Sequence, residues 1–339
     1  MTHDALTVGP SPHIEAPHLT TRRVMADVLI ALAPVLAMAV FHFGAPVLKH
    51  LALCLTACAA ADCWTARLRQ RPCPLGDGSA LVTGVILALS LPVTAPWHID
   101  VIGGLAAILL GKAVFGGLGQ NLFNPAMVGR AFVMIAFSGA MGAGGYIDAA
   151  SATPILTQAT PLSAARDAAG SLPSLWTLLI GSHNGSMGEV SVLAVLLGGA
   201  WLVARRAAAW EIPTMGLAGL AVCAVAGQLL GGWLDPAHRV PALHLTVLQH
   251  LCSGAFAFGI VFIATDPVTS PITRRGRILF ALGLAGLTWL FRALSNYPEG
   301  FMFAVLLMNA LVPHLNRFCV PRPVGWRPPA PAPAKVEKP

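Results

Sequence analysis

Ala80–Pro92 (ALVTGVILALSLP) and Leu251–Ala264 (LCSGAFAFGIVFIA) decide how this chain is read. Both are apolar, yet both are too short to cross a bilayer comfortably, because about 20 apolar residues are needed for ~30 Å of hydrocarbon. They also resemble each other. Each carries a glycine eight residues before a proline, Gly84 to Pro92 and Gly259 to Pro267, and small residues recur at matching offsets, Gly78 with Ser253 and Ala80 with Ala255. Short, Gly- and Pro-interrupted segments at corresponding places in two halves point to a ligand site near the bilayer midplane.

The surrounding chain has a membrane composition. Hydrophobic residues make up 56% and charged residues 10%, against about 25% charged in a soluble domain. Val24–Phe43 and Ile212–Leu230 are long enough to span directly. Val47–Ala66, Ile99–Phe115, Ala126–Met141, Val190–Ala204, Ile278–Leu294 and Phe301–Leu315 span with tilt or snorkelling. With the two short segments these make ten, five in each half. An odd number per half inverts the second half relative to the first, the arrangement of an inverted repeat. The expected fold is an all-α integral membrane protein. Residues 24–141 and 190–320 form the halves, 1–23 a cytoplasmic lead, 142–189 an outer loop, and 321–339 a disordered Pro/Ala/Lys-rich cytoplasmic tail.

Charge placement supports this count. With both termini in the cytoplasm, sixteen of the 21 Lys and Arg fall on the inner side, the Arg274-Arg275-Arg277 cluster among them. Only Lys49, Arg166, Arg239 and Arg292 fall outside, and Arg130 lies near a helix entrance. That bias is what the positive-inside rule predicts. The net charge of +7 is therefore a topology signal, and no interleaving of aromatic and basic residues suggests nucleic-acid binding. The first apolar stretch is long and follows Arg22-Arg23, so it reads as a retained helix and not a cleaved signal.

Cys54, Cys58, Cys63, Cys73, Cys223, Cys252 and Cys319 show no C-x-x-C pair; the reading is of packing residues, with no metal or iron–sulfur site and no structural disulfide. The histidines are scattered, with no pair at ligand spacing, and read as interface or capping residues. Nucleophile elbows and phosphate loops are missing.

Two polar stretches interrupt the apolar pattern. Gly116–Arg130 contains Gly119-Gln120-Asn121, then Asn124-Pro125, then Gly129-Arg130. Asn124 suits an N-cap with Pro125 in the first turn, and the free N–H groups of such a terminus accept anionic or carbonyl-rich ligands. A glycine-rich turn with ordinary capping is the plainer alternative. After the second short segment comes Thr265-Asp266-Pro267-Val268-Thr269-Ser270-Pro271. Asp266 there either caps the following turn, neutralising Arg274 or Arg275, or contacts a ligand. A carboxylate at the centre of the hydrocarbon costs roughly 2.5–3.5 kcal/mol on insertion scales. In the long outer loop, Thr157-Gln158-Ala159-Thr160-Pro161-Leu162 reads from its residues alone as turns, and Leu172–Ile180 as an interfacial or re-entrant piece.

Taken in order, Ser11-Pro12-His13, Gly119-Gln120-Asn121, Asn124-Pro125-Ala126, Gly129-Arg130-Ala131-Phe132, Ala264-Thr265-Asp266-Pro267-Val268, Glu299-Gly300-Phe301-Met302 and Asn309-Ala310 resemble the NqrB/RnfD family over nearly the whole chain. These are membrane subunits of the Rnf electron-transport complex and of the sodium-translocating NADH:quinone reductase. The resemblance implies an FMN joined through its phosphate to a threonine in an S/T-G-A-T-like segment, attached by a flavin transferase. Thr160 is the implied residue. Gln158 replaces the usual glycine, and Pro154 stands where an acidic residue is common. Asp148 with Ser151-Ala152-Thr153 is a rival, one residue short of the usual spacing. The resemblance also implies a non-covalent riboflavin within the helices, for which Gly119, Asn121, Asn124, Arg130 and Asp266 are candidate surroundings.

The implied function is an electron-carrying subunit of an ion-translocating oxidoreductase complex in the bacterial inner membrane, coupled to Na+ or H+ movement. Its expected partners are an FMN-bearing protein at the periplasmic face, membrane iron–sulfur subunits, the flavin transferase and lipid. Nothing in this chain binds nicotinamide or an iron–sulfur cluster, so no complete active site is expected. A stand-alone small-solute channel of the urea-transporter type is the alternative, since five-plus-five halves suit it equally well.

Overall fold

The computed structural model describes residues 7–8, 14–15, 20–146, 160–162, 174–234, 240, 243, 245–295 and 299–320. Apart from a two-residue antiparallel pairing of Thr7–Val8 with Ile14–Glu15, these residues build helices. Helix α1 spans Thr21–Phe43, with the Thr20 side chain accepting from the Arg23 amide. α2 spans Pro46–Leu68 and opens on its proline, which has no N–H to leave unsatisfied. The short α3, Ser79–Ser90, and α4, Trp97–Ile108, follow, and α4 runs on through a π-turn at Leu109–Ala113. α5 is Pro125–Ala136, capped by Asn124 as expected. A short α6, Leu175–Ile180, precedes α7, Val192–Ala204, and α8, Glu211–Leu234.

Among the described residues, five helices are long and apolar enough to cross a membrane: α1, α2, α8, α11 (Arg274–Leu294) and α12 (Phe301–Phe318). α3, α5 and α7 are shorter and also apolar. Ten of the twelve residues of α3 are buried, which explains why its sequence is apolar all round and not striped. Helix α2 packs on α3 and α4, α4 on α5, α1 on α7, α8 on α11, and α11 on α12; α5 also meets α12.

The second short segment is a broken helix. α9, Val247–Cys252, carries a capping box between Thr246 and Gln249 and stops at the extended Ser253. Gly254 takes φ +72°, and a Cβ there would run into the Glu299 carboxylate. The chain resumes as α10, Phe256–Phe258, and continues as a π-turn over Gly259–Ile263. Backbone groups freed by a break at membrane depth need new partners. Here Arg292 donates to the His250 and Ser253 carbonyls at 2.7 and 2.8 Å, and Glu299 accepts from the Ala255 amide at 3.1 Å. Arg292 and Glu299 lie 3.5 Å apart.

Buried charges elsewhere are likewise paired. Lys112 bonds Asp62 at 2.7 Å and the Ser79 hydroxyl at 2.8 Å. His50 sits between Asp100 at 2.7 Å and the Val93 carbonyl at 2.9 Å, fully buried, and so is a strut between α2 and α4, not an interfacial histidine. Near the start of α11, Arg274 and Arg277 pair with Glu211.

One expectation is overturned. Cys63 and Cys73 form a disulfide, their Cα atoms 4.9 Å apart. The cause is local: α2 ends on Gln70 at φ +53°, and the reversal carries Cys73 back against the last turns of the helix. A spacing of ten residues gives no hint of that contact unless the helix end is known.

Gly129 should be irreplaceable for packing: a Cβ there would lie 2.5 Å from the Gly103 carbonyl and 2.8 Å from the Ala107 Cβ, where α4 crosses α5. Gly129→Val should cost at least about 1–3 kcal/mol by overpacking, read as a lower unfolding midpoint in detergent, while Gly139→Ala, with open space around it, should leave the midpoint unchanged. Lys112→Met should cost about 3–5 kcal/mol by stranding Asp62. In the same measurement, the double variant with Asp62→Leu should regain most of that loss.

Candidate functional site

Of the polar residues that the sequence singles out, Gln120 lines an open pocket with Asp62 and Arg69, and those named below separate into two further pockets. The larger is a recess of about 730 Å³ beside α3, lined by Ser79, Thr83, Lys112, Asn121, Asn124 and Asp266, with Val24, Val28 and Phe262 among its apolar walls. Pockets that hold cofactors are mostly apolar, with a few placed polar groups. Asn124 is fixed at both ends. Its Oδ1 accepts from the Met127 amide at 3.3 Å, and its own amide donates to Asn309 Oδ1 at 3.2 Å. Asn309 Nδ2 in turn donates to the Thr269 carbonyl at 2.9 Å, so one side chain on α12 ties the Asn124 turn to the Asp266 turn. Gly116, Gly117 and Gly119 take positive φ in the intervening loop, which brings Asn121 to the recess while Gly119 stays off its lining.

Asn121 and Asp266 differ in how they are satisfied. Asn121 Nδ2 donates to the Phe123 carbonyl at 3.2 Å, but its Oδ1 is buried with no partner. An unpaired buried acceptor is costly, roughly 1–3 kcal/mol, unless a ligand donor meets it. Asp266 accepts from the Val268 amide and the Thr269 hydroxyl, both at 3.1 Å. It is thus a turn cap that also lines the recess, and the nearby Arg274 pairs with Glu211 instead. Burial pushes the Asp266 carboxyl above the ordinary range, against the pull of those two hydrogen bonds.

The smaller pocket, of about 290 Å³, surrounds Thr160 with Tyr146, Glu189, Gly254 and Glu299. Thr160 is only 7% exposed. Arg130, from α5, reaches this pocket and not the recess: it lies 4.0 Å from Glu189 and hydrogen-bonds the Tyr146 side chain, while its Nε is buried and unpartnered. Burial and the Glu299 charge push the Glu189 carboxyl up to about 7, opposed by Arg130 and by the Ser186 hydroxyl. Desolvation pushes the Tyr146 phenol up to about 12. The loop carrying Glu189 is held against the exit of α3, where Pro92 bridges Ser186 and the Met187 amide donates to the Leu91 carbonyl at 3.1 Å.

Of the predicted residues, Asn121, Asn124 and Asp266 come together, and Arg130 lies apart from them, touching Glu189 and Tyr146 of the Thr160 pocket. Asp148, Thr153, Thr157 and Gln158 lie outside the described residues. The sequence reading missed Tyr146 and Glu189 at the Thr160 pocket, and Lys112 at the recess. Lys112 had a signal, a lone cation inside an apolar run; Tyr146 and Glu189 sit in loop sequence and had none. Among the described residues no cluster of His, Cys, Asp or Glu could hold a metal ion.

Known proteins resemble this chain in sequence. A family model described as the NQR2, RnfD, RnfE family matches residues 7–325. The chain is 39% identical over 323 residues to the D component of the Na(+)-translocating ferredoxin:NAD(+) oxidoreductase complex of Acetobacterium woodii, covering 94% of this chain and 95% of that one. It is 41% identical over 345 residues to the D component of the ion-translocating oxidoreductase complex of Halorhodospira halophila, covering 93% and 94%. Against the D component of the proton-translocating ferredoxin:NAD(+) oxidoreductase complex of Clostridium ljungdahlii the identity is 34%, covering 95% and 96%. With all of its described membrane helices and both polar pockets inside the matched region, this chain belongs to the NQR2, RnfD and RnfE family.

Proposed function

We propose that the chain is the electron-carrying membrane subunit of an ion-translocating oxidoreductase complex, with FMN esterified to Thr160 and riboflavin held in the recess beside α3. The observation that carries this reading is the pair of polar pockets, one around Thr160 at the break of the second short segment and one around Asn121 beside the intact α3. Ten crossings in two inverted halves suit the packing. The α2–α4 and α4–α5 contacts of the first half have counterparts in α8–α11 and α11–α12 of the second. The Arg-rich helix ends, joined by Asp27–Arg205 and Glu211–Arg274 pairs, suit a cytoplasmic face, with both termini there and Thr160 toward the periplasm.

Bound flavins supply electron transfer, and the protein supplies their position and surroundings. At the first pocket the Thr160 hydroxyl would carry the phosphoester. The unpartnered Arg130 Nε offers a charge-assisted donor to phosphate oxygen. In the recess, Asn121 Oδ1 would accept from a ring or ribityl N–H or O–H, Lys112 and Ser79 would bound its polar end, and the apolar walls would exclude water. Other members of the complex would deliver and remove electrons, and Na+ or H+ would be the coupled ion.

Thr160→Val, made with the flavin transferase, should lose all covalent flavin, seen as loss of the fluorescent band in a denaturing gel. A surviving band would move the attachment elsewhere, and peptide mass spectrometry across Ser151–Arg166 would then locate it. Asn121→Leu should keep that band but retain about tenfold less extractable flavin on purification, the scale of one buried hydrogen bond.

A further inference from the structure

The open pocket at the C-terminal end of α2 belongs to neither of the two sites above. It gathers Asp62, Arg69, Arg71, Asp77, Lys112 and Gln120, from α2, the loop into α3, and the π-turn with the glycine-rich loop after it. Its carboxylates are already engaged. Asp62 takes the Lys112 ammonium at 2.7 Å, and Asp77 Oδ1 accepts from the Ser79 amide at 2.7 Å and the Ser79 hydroxyl at 2.6 Å. The last carbonyls of α2 are met too: Thr65 and Ala66 accept from the Arg69 amide, and Arg67 from the Gln70 amide. Donors, by contrast, are in surplus. An ammonium has three N–H groups, and Lys112 uses two, on Asp62 and Ser79. Arg69 uses one guanidinium nitrogen on the Ala113 carbonyl. The Arg71 guanidinium has no ion pair or hydrogen bond among the described residues, and it is exposed. The loop that presents it is fixed on both sides, by the Arg69–Ala113 bond and by the Cys63–Cys73 disulfide.

We propose that this pocket binds a phosphate-bearing anion, with Arg71 and Arg69 as the recognising residues and Lys112 behind them. Three cations face two carboxylates, so positive charge is in excess. Phosphate oxygens are strong acceptors, and a guanidinium fork meets two of them at once. A cation would meet repulsion here and would find the carboxylates occupied. Gly116 makes room for the Gln120 side chain, which a Cβ there would strike, and Gln120 adds an amide donor at the rim. Because the loop is pinned in advance, little ordering cost falls on binding. This chemistry admits two sources, the headgroup of an anionic phospholipid and a soluble phosphate compound. The inference stands apart from the flavin reading: Lys112 also lines the recess, but Arg69, Arg71 and Gln120 do not.

Two probes, both applied to the full chain, tell the sources apart. Inorganic pyrophosphate is titrated calorimetrically into the detergent-solubilised protein at low salt. Phosphatidylglycerol is offered in nanodiscs against phosphatidylcholine, and retained lipid is counted by native mass spectrometry. At least one probe should bind as a single equivalent. Arg71→Gln should weaken that binding about tenfold, the scale of one charge-assisted hydrogen bond, and leave the unfolding midpoint unchanged, because Arg71 has no side-chain contact to lose. Arg317→Gln removes an exposed cation on α12 that lies outside the pocket, and it should leave the affinity unchanged. Binding of pyrophosphate alone supports the site with a soluble occupant. Retention of phosphatidylglycerol, with or without pyrophosphate binding, supports it with a headgroup. Binding of neither probe overturns the proposal. An equal loss in Arg71→Gln and Arg317→Gln also overturns it, since that pattern belongs to a diffuse basic surface.

Discussion

Breaking a helix where no water can reach it exposes carbonyls and amides that must be met by something else. In this chain the Arg292 guanidinium and the Glu299 carboxylate meet them. They come from the end of α11 and the turn before α12, and they bridge the gap between Cys252 and Phe256. The clamp also orders the Thr160 pocket. Gly254 leaves room for the Glu299 carboxylate, and that carboxylate bounds the pocket opposite Glu189. Without Arg292, the His250 and Ser253 carbonyls would lose their donor and Glu299 would keep only the Ala255 and Phe301 amides, so the break and the pocket depend on the same side chain.

On the reading of two inverted halves, Lys112 occupies the place in the first half that Arg292 has in the second. Each is a lone cation near the end of the fourth segment of its half, and each reaches the opening of a short segment, Ser79 in one case and Ser253 in the other. The carboxylate partner differs. Asp62 comes from α2, whereas Glu299 comes from the turn ahead of α12. One device thus supports an intact helix beside the recess and the other a broken helix beside the smaller pocket.

The apolar runs and their lengths foretold the helices, and Asn124-Pro125 foretold an N-cap that the structure reproduces to the Met127 amide. Hydrophobic periodicity and cap chemistry are local, which is why they are legible in one sequence. Which pocket a residue serves is a long-range matter. Asn121 and Asp266 share a recess only because Asn309 ties their turns together. Arg130, only a few residues from Asn124, turns to the other pocket because it lies further along α5. Glu189 is plain loop sequence until the Pro92–Ser186 bridge is known. The disulfide was hidden for a similar reason, since the reversal at Gln70 is set by a left-handed residue that no motif announces.

Thr160 is nearly inaccessible, closed in by Tyr146, Glu189 and Glu299 from three separate stretches of chain. On the proposal that this hydroxyl carries a flavin, an enzyme acting from the aqueous side would reach it before those stretches converge, so that decoration would precede closure.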